Sequence, residues 1–541
     1  MAFSAFLILF ETRSNTFFND EHFFFERLGQ GINAESILEP HNGHLIAPAH
    51  LIYAVVFAGV GPNYTVFRAI GVLVLLGCCL LLFQLIRRRV GALLALAPTV
   101  VLLFLGSSWE ALLWPLTMVT FALSLAWGLA ALLALERGDP KGDVAACVLT
   151  SLSVISHSTG LAFLVAVAVA VLLGADRRRR SWIFLLPLAI YAGWWLWALK
   201  FHEGVVQLAN VLLTPAFIAE SLAANAAAVT GLGINLDQGP GTLTVTSSWG
   251  QVIGLIATVA IIVRLSRGGV RRSLWVSLVA LLAYWTALAL AFGPARSPES
   301  SRYLFPGAAL LLLVAAEAVG GRQLPRSGVI AIFVVSVASV LTNIRQLDDA
   351  EQFLRDNAPL ARATLGAIEV ARGSVSANFT PSQVAQPRAA AGQRLPIRAG
   401  PYLHAVDRFG SYAFSPSDLL RQDREVQADA DRVLGAAERL SLRSAAGHQR
   451  AGHCTHVLGG GATRAVRQLR PGQLLLEAEQ RAGVRLGRFD PGYPVALGTL
   501  TPRRPMTLSI PRDAAARPWR IAVSSSAPVT LCIHKTVDIT S

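Results

Sequence analysis

Long apolar runs alternate with short polar or basic breaks from Tyr64 to Leu341. The runs are Tyr64–Ile86, Leu93–Leu105, Leu116–Leu135, Val144–Ile155, Leu161–Leu173, Trp182–Leu199, Gln251–Val263, Leu274–Phe292, Tyr303–Val319 and Val329–Leu341. A helix needs about 20 apolar residues to cross a bilayer, and the pattern predicts a polytopic helical membrane protein. Met1–Phe10 reads as the end of a further helix, which makes about eleven spans. Leu45–Val60 is also apolar, but Pro48 and His50 interrupt it, so it reads as an interfacial or re-entrant segment. The segment His202–Trp249 reads as a loop.

Beyond Asn343 the period changes. Ile344, Leu347, Phe353, Leu354, Leu360, Leu365 and Ile368 keep helical spacing as far as Arg372. Ser374–Pro401 reads as loop, and Pro416–Leu442 as a helix with Asp429, Asp431 and Arg432 on its polar face. From Leu474 onward LLLEA, VRLGRF, MTLSI, WRIAVSS and VTLCIHK are short strand-type runs between turn residues, the signature of a small β-sandwich. The expected organisation is a membrane domain over 1–343 and an extracytoplasmic α+β domain over 344–541. The latter is helical over 344–445 and β-rich over 465–541.

Composition agrees with a membrane chain. Hydrophobic residues make up 53% and charged residues 15%, whereas charged residues approach a quarter of a soluble protein. The net charge of +14 lies largely in short loops between apolar runs, so it carries no argument for nucleic acid as a partner. Arg87–Arg89, Arg177–Arg180, Arg264 to Arg272 and Arg322/Arg326 fall on one side of the predicted topology. The Lys/Arg excess of short cytoplasmic loops puts that side inside. The loops containing Asp20, Glu110, His157 and Arg302 then face outside together with the C-terminal part. Cys78, Cys79 and Cys147 lie in apolar runs. Cys454 and Cys532 share the polar part, where they form either a bridge or two free thiols.

Candidate chemistry concentrates in the polar segment Asn15–His44. Ionisable groups held at a membrane face are functional candidates by default; the alternative is an ordinary solvated loop. Asp20 and Glu21 offer a general base on a hydroxyl or a seat for a divalent cation. Asn19 or Asp20 equally suits a helix cap. His41, Asn42 and His44 suit hydrogen bonds to sugar hydroxyls or a phosphate, while His-x-x-His lacks a third ligand for a metal nearby. Arg302 and Tyr303 stand where a loop enters a span, fit either for gripping phosphate oxygens or for anchoring at the interface. Glu110 and His157 read as polar turn residues. Asp237 lies between glycines, and GGGAT at Gly459–Thr463 lacks the lysine of a phosphate loop.

The NDE run, the EPHNGHL knot, the broken apolar segment after it and SRYLFPG entering a late span together resemble the bacterial GT-C-type glycosyltransferases. These include protein mannosyltransferase-like and aminoarabinose transferase-like enzymes that use polyprenyl-phosphate sugars. The resemblance covers about residues 1–343. It implies Asp20 as the residue that takes the acceptor proton, with Glu21 beside it, and Arg302–Tyr303 facing the lipid phosphate. Pro40-His41 through Pro48 is similar to the family's His/Pro segment, although the order of the two is reversed here. The implied function is an inverting hexosyl- or pentosyl-transfer from a polyprenyl-phosphate sugar to a hydroxyl on a glycan, lipid or protein, at the outer face of a bacterial plasma membrane. A transporter or flippase of lipid-linked sugars is the alternative. Transporters carry internal repeats and polar groups near the bilayer midplane, whereas here the polar groups gather at the predicted outer ends. The resemblance does not extend to the tail.

Overall fold

The computed structural model describes all residues except 238–242, 247, 294–295, 384–394, 396, 446–452, 458–464, 514, 516, 526, 528 and 534–541. The Gly459–Thr463 run and the side chain of Asp237 lie outside the described residues. Two compact units emerge. One comprises residues 1–15 and 31–355, the other 16–30 and 356–541.

The first unit is helical. Tyr64–Val90 shows why its helices start and stop where they do: the Asn63 side chain accepts the Thr65 N–H at 3.2 Å, and Gly91 ends the helix at φ 85. Eight helices among the described residues are long and apolar enough to cross a membrane: Tyr64–Val90, Pro115–Leu135, Arg177–Phe201, Leu208–Thr230, Trp249–Ser266, Arg272–Leu290, Ser301–Val319 and Arg326–Val370. Ala92–Leu103 and Gly106–Leu113, bent by 49°, bring this to nine if the pair is one span. The expected eleven is therefore not matched. The runs near Met1, Val144 and Leu161 form helices of 10, 17 and 13 residues, Ala2–Glu11, Pro140–Ser156 and Gly160–Leu172. The segment His202–Trp249 is also corrected. It holds the helix Thr214–Thr230, because its alanine-rich sequence favours helix without the bulk of a typical apolar run.

Ion pairs tie the basic loops together. Glu136 pairs with Arg88 at 2.7 Å and with Arg89, which also reaches Glu317 at 2.6 Å. Ser273 donates to Glu317 at 2.6 Å, and Arg180 grips Asp143. The loops with the opposite chemistry also meet. Ser107 Oγ donates to Gln346 Oε1 at 2.6 Å, Ser108 Oγ to Ser301 O at 2.8 Å, and the Phe217 and Phe292 rings lie 5.8 Å apart. Asn343 Nδ2 donates to Ala228 O at 3.1 Å near the end of Thr214–Thr230, and Phe217 near its start meets Phe292.

The second unit starts from an N-terminal piece. Helix Asp20–Gln30 packs on helix Ala399–Phe409, with Gly29 so close to Ala405 that a Cβ on it would lie 2.4 Å from the Ala405 Cβ. Phe17, Phe25, Tyr402, Phe409 and Tyr412 form an aromatic cluster; Phe25 meets Tyr412 edge-on at 5.0 Å. The division from the first unit falls inside Arg326–Val370, so the helix expected after Asn343 is the continuation of the last apolar one. Asn343 stays helical by donating to Ser339 O at 3.0 Å. The expected helix Pro416–Leu442 is broken into Pro416–Leu419 and Arg424–Ala437, because Asp423 caps the second piece. Asp429 and Asp431 are buried rather than on a polar face. Asp431 accepts the N–H groups of Arg488, Phe489 and Asp490 at 2.9–3.1 Å, and Asp429 pairs with Arg432.

Two antiparallel sheets follow. One has the order Arg443–Ser444, Met506–Ile510, Gly472–Ala478, Val529–Ile533, His453–Val457. The other runs Ala465–Gln468, Arg520–Ser524, Ala482–Gly487, Val495–Leu500. Register sets Cys454 opposite Cys532. Cys532 is disulfide-bonded, Cys78, Cys79 and Cys147 are free, and the Cys454 side chain lies outside the described residues.

Candidate functional site

Residues His41 to His44 make a two-residue hairpin turn. His41 N–H donates to His44 O and His44 N–H to His41 O, both at 3.0 Å. Asn42 and Gly43 sit at φ 51 and 78. Positive φ at both central positions is what an Asn-Gly turn supplies. Residues directly opposite in such a pair point to the same face, which puts the two imidazoles on one side. Glu203 closes over the turn: its carboxylate accepts the Gly43 N–H at 3.2 Å, and a Cβ on Gly43 would lie 2.8 Å from Glu203 O.

A second turn, His157–Thr159, meets the first. It joins Pro140–Ser156 to Gly160–Leu172. Gly160 lets the two helices close, since a Cβ there would lie 2.4 Å from the Ser153 carbonyl. His44 Nδ1 is 2.8 Å from Ser158 Oγ, and the His44 and His157 rings are 4.4 Å apart. The Thr159 N–H donates to His157 Nδ1 at 3.1 Å, so the neutral ring of His157 carries its proton on Nε2 and presents a donor there. Burial, then the charges of His44, Arg296, Arg302 and His41, hold the His157 pKa well below its usual range. His44 is lowered in the same way, by burial first and then Arg296, His41 and Arg302. Both are hydrogen-bonding groups rather than cations at neutral pH.

The Arg302 loop supplies the positive charge. Arg296 Nη2 donates to Asn42 O at 2.9 Å, while its Nη1 is buried without a hydrogen-bond partner among the described residues. Glu110 accepts Ser301 Oγ at 2.5 Å and the Arg302 N–H at 3.1 Å, a carboxylate seated on the first turn of Ser301–Val319. The Arg302 guanidinium lies 5.6 Å from the Tyr303 ring centre. Tyr303 is buried, and its carbonyl accepts the Tyr284 hydroxyl at 3.0 Å. Phe121 links the two halves, 3.9 Å from His157 and 6.0 Å from Tyr303, ring centre to ring centre. It sits in the π-helical turn Met118–Ala122, a distortion often found at functional sites.

The first unit thus brings together His41, Asn42, His44, Arg302 and Tyr303 and adds Arg296, Glu110 and His157. Glu110 and His157 read from sequence as bland turn residues; nothing in their short loops marks which neighbours they meet. The Asn42-Gly43 pair, which favours such a turn, is a signal for the His pair that the hydropathy pattern leaves unread.

Asp20 and Glu21 belong to the second unit. Asp20 is the first residue of its helix and partly exposed; Asn19 before it has φ 47. Glu21 is fully buried and accepts the Phe18 N–H at 2.9 Å. His22 Nδ1 is 2.8 Å from the Tyr412 hydroxyl, and burial pushes the His22 pKa down to about 3. Elsewhere in the first unit Glu11, Asp348 and Glu351 bring carboxylate oxygens within 4.8 Å of one another, with Arg355 paired to Glu351.

At least eight apolar helices and a polar cluster built from their connecting loops define a multi-pass helical membrane protein. No protein-family model matches the chain, and no curated protein matches it. Among solved structures it is similar to the arabinosyltransferase EmbB from Mycobacterium smegmatis, at 12% identity and a TM-score of 0.36. The match covers 98% of this chain, which spans 64% of that one.

Proposed function

We propose that the protein is a membrane glycosyltransferase that moves a sugar from a polyprenyl-phosphate donor to an acceptor hydroxyl at the outer face of a bacterial plasma membrane. The observation that carries the reading is the buried Nη1 of Arg296, without a hydrogen-bond partner among the described residues, beside two neutral imidazoles and Arg302. A buried guanidinium nitrogen without a partner is costly, and a phosphate oxygen satisfies it with a charge-assisted bond. Arg296 and Arg302 hold the donor phosphate and stabilise the charge that grows on it as the glycosidic bond breaks. His157 Nε2–H and His41, Asn42 and His44 hydrogen-bond the phosphate or the sugar. Tyr303 and Phe121 wall the site. In this reading Asp20 takes the proton from the acceptor hydroxyl, Glu21 supports its helix, and the C-terminal residues engage a glycan, lipid or protein acceptor.

The test is transfer of labelled sugar from a polyprenyl-phosphate donor by purified protein in lipid. Arg296→Gln and Arg302→Lys should each lower turnover at least 10-fold with normal membrane insertion, since lysine keeps the charge but loses the fork. Full activity in both variants removes the phosphate assignment. The same assay with EDTA reads the divalent cation: loss of activity restored by Mg²⁺ or Mn²⁺ assigns one, and unchanged activity dismisses it.

A further inference from the structure

A cavity lies within the helical unit, away from the histidine turns and among the basic loops. Its volume is about 280 Å³. Leu85, Leu132 and Leu313 form apolar wall, and Arg89, Arg180 and Arg272 supply charge to the same lining. Glu136 and Glu317 also line it, but both are engaged by arginines, as is Asp143 by Arg180. Arg88, Arg89, Arg180 and Arg272 thus outnumber the three carboxylates around them. Arg272 is the one left over: it has no hydrogen-bond or ion-pair partner among the described residues. Its guanidinium lies over Gly174, where a Cβ would come within 3.2 Å of Nη2, and it lines the same cavity as Arg180. Two like charges facing one cavity, one of them unpaired, fit an anion. Apolar wall leading away from them fits a hydrocarbon chain.

We propose that this cavity is a binding site for an anionic phospholipid of the bilayer, with its phosphate between Arg180 and Arg272 and an acyl chain along Leu132 and Leu313. Basic pockets between membrane helices on the cytoplasmic side are suited to anionic head groups, and the arginine clusters are on that side by the positive-inside rule. Free inorganic phosphate shares the head-group chemistry but gains nothing from the leucine wall. The proposal does not depend on the transferase reading.

Native mass spectrometry of the full-length protein in detergent tests it, with phosphatidylglycerol, phosphatidylcholine or inorganic phosphate added. Wild type should retain phosphatidylglycerol at least 10-fold better than phosphatidylcholine and show no comparable gain with phosphate. Arg272→Gln should lose that preference. Arg87→Gln, at the same end but outside the lining, should keep it. Ala170→Phe, which fills the cavity and leaves every charge in place, should also lose it and stands in should Arg272→Gln fail to fold. Equal retention of the two lipids by wild type, an unchanged preference in Arg272→Gln or Ala170→Phe, or equal loss in Arg87→Gln overturns the proposal. Phosphate binding that matches the lipid in affinity overturns the lipid as occupant.

Discussion

At the scale of single residues, neighbours in sequence take on different work. Asp20 and Glu21 point differently because adjacent helical residues cannot share a face. Glu21 is buried and satisfies the Phe18 N–H. Glu21→Ala strands that donor and should lower stability by about 1–3 kcal/mol, read by thermal unfolding. Asp20→Asn keeps an oxygen at the helix start but removes the base. It should insert normally and lose about 100- to 10,000-fold in transfer; a fully active Asp20→Asn enzyme leaves the acid without its proposed role. His22 gives a pH prediction. Its folded pKa of about 3 lies below the ordinary 6.5, so the unfolded chain takes up a proton first as pH falls. The stabilisation is complete above pH 6.5 and is lost progressively toward pH 3. Between those limits this one imidazole costs at most about 1.4 kcal/mol per pH unit. Tm measured from pH 7.5 to 5 should fall less steeply in His22→Gln than in wild type.

At the scale of elements, the turn is the decisive unit. Asn42 and Gly43 hold positive φ and fix His41 opposite His44. Gly43→Ala places a Cβ both at φ 78 and 2.8 Å from Glu203 O. It should displace the turn and reduce transfer at least 10-fold while circular dichroism keeps its helical signal; unchanged transfer would show that the imidazole pair is not needed. The helix starting at Ser301 depends similarly on Glu110, whose carboxylate receives two donors from its first turn. Turns that look incidental in a hydropathy profile are where this unit gathers its polar groups.

At the scale of the whole molecule, the chain divides in a way no linear boundary captures. Residues 16–30 belong with residues 356–541, and the division near Arg355 falls within one helix. The cysteines follow the compositional split. Denatured, unreduced protein should label three thiols, Cys78, Cys79 and Cys147, and five only after reduction. Such a bridge closes a loop of roughly 80 residues, worth about 4 kcal/mol in the chain-entropy account. Ready labelling of five thiols before reduction removes the staple.

The sequence alone determined what depends on local pattern. Apolar runs gave most of the helices, the alternating runs after Leu474 gave strands, and Asn-Gly encoded the hairpin turn, because period and φ preference are properties of adjacent residues. Missed strands such as Val495–Leu500 carry weak alternation, and helix Ala399–Phe409 begins inside Ser374–Pro401, whose Pro, Ala, Gln and Ser content reads as loop. Tertiary structure decided the rest. Asp429 and Asp431 look solvated in a helical pattern, yet Asp431 is buried because three N–H groups, nearly sixty positions away, satisfy it. Glu110, His157 and Arg296 gained their meaning from partners far along the chain, through the contacts Ser301–Glu110, His157–His44 and Arg296–Asn42. Their burial and charge are set by which loops the helices bring together, and no local window of sequence contains that information.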